Sequence, residues 1–125
     1  MTNEEKKLLF KVLCEMLPYG VKIQIYDDYS GMMKDEKLNV FHLDGTYNIE
    51  YRKLRPYLRT MSSMTEEEYK ELKSISPYYG FAPYEYIGDW CPNYDMVDWL
   101  NEHHFDYRGL IPMGLALEAP AGMYK

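Results

Sequence analysis

The segment VKIQIYDDYSG (residues 21–31) carries the clearest structural signal in the chain. Its apolar residues Val21, Ile23 and Ile25 alternate with more polar ones, which is the two-residue period of a strand with one buried face. The DDYSG that follows is rich in turn-forming residues. The segment therefore predicts a half-buried strand that ends in a turn.

Two further strands are expected after this turn. The sequence KLNVFHL (residues 37–43) is interpreted as the second strand, and Asp44 with Gly45 supplies the dipeptide that favours a two-residue hairpin turn. Residues 47–51 alternate between apolar and polar and predict the third strand. Together the three segments indicate a small antiparallel sheet.

An amphipathic helix is predicted before the first strand. Thr2 and Glu5 have the spacing of a capping box, and apolar residues recur at helical spacing over residues 8–17. Pro18 and Gly20 are expected to end this helix.

A second helix has an acidic first turn. Ser63 with Glu66 and Thr65 with Glu68 both match the capping-box spacing, so two start sites are possible.

Another long helix is expected near the C-terminus. It can begin at Pro92 or Asn93, has an apolar side over residues 96–100, and has a stop signal at Gly109. The apolar remainder, punctuated by glycine and proline, is interpreted as a tail that packs on the body of the protein.

The predicted fold class is therefore α+β in a single domain (residues 1–125). It consists of a small antiparallel sheet packed with two main helices, an irregular aromatic loop and a C-terminal tail. A chain of 125 residues can bury a continuous core without disulfides or a structural metal.

Composition narrows the functional classes. The formal net charge of −6 argues against a sequence-independent grip on nucleic acid, which depends on a surplus of Lys and Arg. The N-terminus is charged where a signal peptide is apolar, and no run approaches the roughly 18 apolar residues of a membrane span. Cys14 and Cys91 lack CxxC spacing and are expected to be reduced thiols. These features predict a cytoplasmic protein.

Aromatic residues indicate where a partner would bind. The chain has 14 tyrosines, a residue type enriched at recognition surfaces. Residues 76–94 form an aperiodic stretch rich in proline, glycine and aromatics, and loops of this length are often functional. The predicted binding residues are Tyr78, Tyr79, Phe81, Tyr84, Tyr86 and Trp90.

The segment WLNEHHFDYRGL (residues 99–110) holds the polar residues that could carry chemistry. Adjacent histidines on a helix cannot chelate one ion in the way an i, i+4 pair does. The weak catalytic candidates are His103, His104, Asp106 and Arg108. The alternative interpretation is a structural brace, in which Arg108 holds the last carbonyls of the helix or Asp106.

A nucleic-acid-binding role is a further alternative. It would use a group of basic residues with neighbouring tyrosines, and it requires these bases to lie on one face: Arg52, Lys53, Arg55 and Arg59.

Two blocks of the sequence carry a resemblance. The blocks YLRTMSSMTEEE (residues 57–68) and WLNEHHFDYRGLIPMGLALEAPAGMYK (residues 99–125) resemble those of short uncharacterised proteins of gut Bacteroides and their prophages and mobile elements. Thr60 departs from the family pattern, which often has proline there. The resemblance implies a bacterial, mobile-element setting and no particular activity.

The resulting expectation is a small non-enzymatic protein of a phage or mobile element that contacts another protein. It is expected to be a monomer or a homodimer, with no cofactor and no metal site. The alternatives kept open are a small enzyme or metal-dependent activity centred on His103, His104, Asp106 and Arg108, and a nucleic-acid binder.

Overall fold

The computed structural model describes residues 1–44, 49–75 and 94–124. Within these residues it contains three α-helices and a four-stranded sheet, which confirms the α+β class. The helices are α1 (Asn3–Met16), α2 (Glu66–Ile75) and α3 (Tyr94–Glu102), and the strands are β1 (Lys22–Asp27), β2 (Met32–Lys37), β3 (Arg55–Leu58) and β4 (Leu117–Glu118).

Helix α1 begins as the sequence predicts. The Thr2 side chain accepts a hydrogen bond from the Glu5 amide, and the Glu5 carboxylate accepts one from the Thr2 amide. The helix continues to Met16, and a 3₁₀ turn, Leu17–Tyr19, leads to Gly20 in the left-handed conformation (φ 68°). Its buried face consists of Leu9, Val12, Leu13 and Met16.

Strand β1 is the predicted strand of residues 21–26 and lies inside the sheet. The strand order is β2-β1-β3-β4, in which β1 pairs antiparallel with both neighbours. Val21, Ile23 and Ile25 are buried, as the alternation requires for a face covered by other elements.

The second and third strands lie elsewhere than predicted. Strand β2 is Met32–Lys37, and the segment interpreted as a strand forms a 3₁₀ helix at Val40–Leu43. The prediction followed apolar content, whereas β2 is an exposed edge strand defined by its pairing with β1. Asn39 caps the 3₁₀ helix, because its side chain accepts a hydrogen bond from the Phe41 amide.

The predicted third strand is also displaced. Residues 49–53 are in turns, and residues 45–48 of the predicted hairpin lie outside the described residues. Strand β3 instead begins at Arg55 and includes Pro56, which lies opposite Ile23 in the register.

The C-terminal tail completes the sheet. Strand β4 pairs parallel with β3, so the sheet is mixed rather than wholly antiparallel. Its two residues follow the buried Leu115 and Ala116, which pack into the core formed by α1 and β1. The prediction that the tail packs back on the body is confirmed.

Helices α2 and α3 enclose a second core cluster. Leu72 of α2, and Met96, Trp99 and Leu100 of α3, pack together there with Phe105. The two main helices that the sequence predicts correspond to α1 and α3, and the predicted helix with the acidic first turn is the shorter α2. The described part of the chain contains no helix with both the length and the apolar character needed to cross a membrane.

Candidate functional site

The turn after α3 places the two adjacent histidines in different surroundings. The His104 amide donates to Asn101 O (3.1 Å) and the Phe105 amide to Leu100 O (3.0 Å), the two hydrogen bonds of a Schellman motif. His104 occupies the left-handed position at which glycine is usual, with φ 62°. The chain reverses at this residue, so the two rings turn to separate partners.

His103 directly follows the last residue of α3 and contacts that helix. Its Nδ1 donates to the Trp99 carbonyl at 2.8 Å, and its ring stacks on the Trp99 indole with centroids 4.0 Å apart. The ring therefore covers the second core cluster.

His104 joins two distant parts of the chain. Its Nε2 donates to the Tyr19 carbonyl at 2.7 Å, and its ring stacks on Tyr124 with centroids 3.8 Å apart. Burial lowers the pKa of His104 below its ordinary value, and this stabilises the neutral ring.

Asp106 organises the loop that follows. Its two carboxylate oxygens accept hydrogen bonds from the amides of Leu110 (2.8 Å) and Ile111 (2.9 Å). The side chain is buried, and burial raises the pKa of Asp106, while backbone hydrogen bonds, including one from Gly109, oppose that rise. The carboxylate thus supplies hydrogen-bond acceptors for amides that have no backbone acceptor in this tight turn.

Arg108 points to helix α1. Its Nη2 lies 2.8 Å and 3.0 Å from the two carboxylate oxygens of Glu15. The Tyr107 hydroxyl lies 3.0 Å from both Glu15 Oε2 and Asn101 Oδ1, and burial raises the pKa of Tyr107 to about 12. This arrangement joins α1, α3 and the following loop.

The candidate catalytic residues are thus not assembled around a common cavity, since each contacts a different structural element. The brace interpretation agrees with these contacts. The predicted partners of Arg108 were wrong, because Glu15 lies on α1, 93 residues away in sequence. In the described ranges, no group of three or more His, Cys, Asp or Glu side chains could hold a metal ion.

Arg59 is more central than the sequence indicated. Its backbone bridges the turn, accepting from the Asp106 amide (2.8 Å) and donating to the His104 carbonyl (2.7 Å). Its guanidinium forms two 2.7 Å hydrogen bonds with Glu68 and lies 4.2 Å from the centre of the Phe105 ring. These bonds hold the pKa of Glu68 down at about 2.

The capping geometry of α2 explains why Glu68 is available to Arg59. Thr65 and Glu68 exchange side-chain to backbone hydrogen bonds of 2.9 Å and 3.1 Å, so Thr65 is the cap. Ser63 instead donates to the Thr60 carbonyl. The capping box was visible in sequence, but the distant arginine was not.

The three arginines of the basic group proposed to bind nucleic acid are held by different partners. Arg52 lies 3.3 Å from Asp28, and Arg55 donates to the carbonyls of Gly114 and Leu54. Arg59 is paired with Glu68. Their guanidinium groups therefore do not form one uncompensated basic face.

A cleft of about 390 Å³ lies beside the Arg59–Glu68 pair and is named here the Arg59 cleft. One wall comes from residues 59–68 and the other from residues 118–124. Both walls belong to the two sequence blocks that carry the resemblance, and they come together only in the folded chain.

A second surface lies around the β1–β2 hairpin. It is named the tyrosine–methionine surface and consists of large side chains on both faces of the hairpin end and on the neighbouring turn: Tyr26, Tyr29, Met32, Met33 and Tyr51. Tyr29 is fully exposed and Met32 is 68% exposed. The Tyr26 and Tyr51 rings meet edge to face at 6.3 Å, and Tyr26 lies opposite Met33 in the strand register.

The aromatic residues predicted to bind a partner lie outside the described residues, as does Cys91: Tyr78, Tyr79, Phe81, Tyr84, Tyr86 and Trp90. The tyrosine–methionine surface was missed in sequence because its members were assigned to a strand and a turn. The excess of tyrosine was its only signal.

No family model, curated protein or solved structure matches the chain.

Proposed function

We propose that this chain is a small non-enzymatic protein-interaction protein and that it binds a protein partner through the tyrosine–methionine surface. The observation that carries the proposal is the exposure of large side chains at the end of the β1–β2 hairpin, namely Tyr29, Met32 and Met33, together with the exposed ring of Tyr51. Tyrosine and methionine are enriched at protein interfaces. Contiguous exposed apolar surface commonly marks an interaction site.

Two contacts prepare the surface for binding. The Tyr51 hydroxyl lies 3.3 Å from Asp28 Oδ1, and the Tyr51 ring meets Tyr26 edge to face. A ring already held in one orientation loses less conformational freedom when a partner covers it. Burial of these rings would then contribute most of the binding energy.

A catalytic role is less well supported. Both carboxylate oxygens of Asp106 already accept hydrogen bonds from backbone amides, and Arg108 is paired with Glu15. His103 and His104 each donate a hydrogen bond to a backbone carbonyl and stack on an aromatic ring. These contacts favour a structural role for the group that would otherwise carry the chemistry.

The proposed setting is the bacterial cytoplasm, in a prophage or another mobile element of gut Bacteroides. This part of the proposal depends on the resemblance of residues 57–68 and 99–125 alone.

The test compares capture by three forms of the purified protein. The surface variant combines Tyr29→Ser with Met32→Ser, and the control combines Val40→Ser with Phe41→Ser, two exposed residues outside the surface. Proteins captured from a gut Bacteroides lysate are identified, purified and titrated against each form. We expect the surface variant to bind its partner at least about tenfold more weakly than the wild type and the control.

Equal affinities of all three forms would contradict the assignment of the surface. Thermal melting of each form verifies that the substitutions leave the fold intact. Size-exclusion chromatography with light scattering identifies a second copy of this chain as the partner if dimers are lost only in the surface variant.

A further inference from the structure

The Arg59 cleft has a preformed shape. Its C-terminal wall is anchored to the sheet, because the Ala119 amide donates to Leu58 O at 2.7 Å. The Tyr124 hydroxyl accepts from the Lys22 amide (2.9 Å) and donates to the Tyr57 carbonyl (2.6 Å). The opposite wall is held by the two hydrogen bonds of the Arg59–Glu68 pair. A ligand would not have to order either wall on binding.

The charge of the cleft is negative. Arg59 and Glu68 neutralise each other, and both Glu68 oxygens are occupied by the guanidinium. Glu118 adds a carboxylate to the lining, and it forms no ion pair with any residue in the described part of the chain. A cationic group entering the cleft would therefore meet the Glu118 carboxylate, with which no described residue forms an ion pair.

Acidic residues at the start of α2 also disfavour the binding of an anion in the cleft. The first turn of α2 carries Glu66, Glu67 and Glu68, which offset the positive end of the helix dipole. The hydroxyl of Ser63 donates to the Thr60 carbonyl and leaves its oxygen able to accept a hydrogen bond. The Ser63 oxygen can therefore accept a hydrogen bond from a cationic donor in the cleft.

The remaining lining suits an aliphatic chain. Ala119, Pro120, Ala121 and Met123 form the apolar part of the C-terminal wall. Lysine and arginine side chains bury their methylene groups against such surfaces while the charged end remains hydrated. A volume of about 390 Å³ is at the small end for a ligand site and fits one long side chain with its backbone.

From these features we infer that the Arg59 cleft is a binding site for the cationic side chain of lysine or arginine, with the cation against Glu118 and Ser63 and the methylene groups along Ala119–Met123. The cleft and the tyrosine–methionine surface share no residue, so this inference does not depend on the proposed function.

The test uses two pairs of probes on the full chain. Nα-acetyl-lysine N-methylamide and its neutral norleucine analogue are titrated at low salt and followed by backbone amide NMR signals. The second pair is the peptide Ala-Ala-Lys-Ala-Ala and its norleucine counterpart. We expect saturable shifts of the Ser63, Glu118 and Ala119 signals with the lysine probes only, and weaker binding as salt rises.

A matched pair of variants identifies the carboxylate. Glu118→Gln is expected to weaken binding of the lysine probes about threefold or more, whereas Glu102→Gln, an exposed carboxylate outside the cleft, leaves binding unchanged. Tighter binding of the pentapeptide than of the single-residue probe would identify a peptide as the source of the side chain. Equal binding would show that the cleft recognises the lysine side chain alone, so that a small amine is the ligand. The inference is overturned if the norleucine probes bind as well as the lysine probes, if Glu118→Gln binds normally, or if no shift saturates.

Discussion

Arg59 and Glu68 form two parallel hydrogen bonds of 2.7 Å each, from Nη1 to Oε2 and from Nη2 to Oε1. Glu68 also closes the capping box of α2, and Arg59 lies over the Phe105 ring. One carboxylate therefore joins the start of a helix to the turn after α3. Paired geometry of this kind is stronger than a single ion pair.

Glu68→Gln is expected to lower the free energy of unfolding at pH 7 by about 2 kcal/mol, because the charged partner of a partly buried arginine is lost. The folded-state pKa of Glu68 is about 2, below its ordinary 4.5. The stabilisation by the Arg59–Glu68 pair is therefore complete above about pH 4.5, and it is lost as the pH falls towards 2. Urea denaturation of wild type and variant should show a difference that shrinks across this window. Glu67→Gln, an exposed neighbour, serves as the control, and a difference that stays constant down to pH 2 would contradict the prediction.

Thr65→Ala is expected to destabilise the protein by about 1 kcal/mol, since Thr65 Oγ1 accepts the Glu68 amide at the start of α2. Ser63→Ala should cost less, because the Ser63 hydroxyl only donates to the exposed Thr60 carbonyl. Chemical denaturation of the two variants compares them directly. A larger loss for Ser63→Ala would mean that α2 begins at the other capping signal.

Asp106→Asn is expected to cost about 2 to 3 kcal/mol, and Arg108→Ala about 1 kcal/mol. Asp106 is buried and its two oxygens accept backbone amides, whereas an asparagine would direct an NH₂ group at one of these donors. Arg108 and Glu15 remain partly exposed, so solvent screens their attraction. Thermal melts of both variants test the order. Unchanged or raised stability in both would indicate a functional site instead of a brace.

His104→Gly is expected to be more stable than His104→Ala by about 1 kcal/mol. Both variants lose the contacts with Tyr19 and Tyr124, but glycine adopts the left-handed backbone at φ 62° without steric cost. The matched control is Glu102 in the last turn of α3, where alanine should be preferred over glycine. The same order at both positions would show that the backbone at residue 104 is not strained.

Tyr124→Phe is expected to lower the free energy of unfolding by about 1 to 2 kcal/mol, because it leaves the Lys22 amide and the Tyr57 carbonyl without their shared partner. The ring still stacks on His104 in this variant, so the loss reports the hydroxyl alone. Tyr29→Phe provides the control, since its fully exposed ring should make no difference. Equal denaturation midpoints for Tyr124→Phe and wild type would show that the strands pair without the bridge.

Local sequence patterns are enough to locate three elements of this protein, α1, α2 and β1. The Thr2–Glu5 box located the start of α1, and Thr65–Glu68 was one of two capping boxes that marked the start of α2, because the donors and acceptors involved are three residues apart. The alternation of Val21, Ile23 and Ile25 likewise located β1, since its period is a property of a single strand.

The pairing of the strands depends on tertiary contacts that no local pattern predicts. Strand β2 has the sequence MMKDEK and no apolar alternation, so nothing local marks it, and its position follows from its register with β1. The same is true of β4, whose two residues become a strand by pairing with β3.

The candidate sites depend on contacts that are distant in sequence. Arg108 meets Glu15 across 93 residues and Tyr124 reaches Lys22 across 102. The Arg59 cleft exists because the C-terminal segment passes beside Glu68. The residue type and its sequence neighbours determine which hydrogen bonds and ion pairs a side chain is able to form. Its partner at long range is selected by the packing of the whole core, which no local pattern encodes.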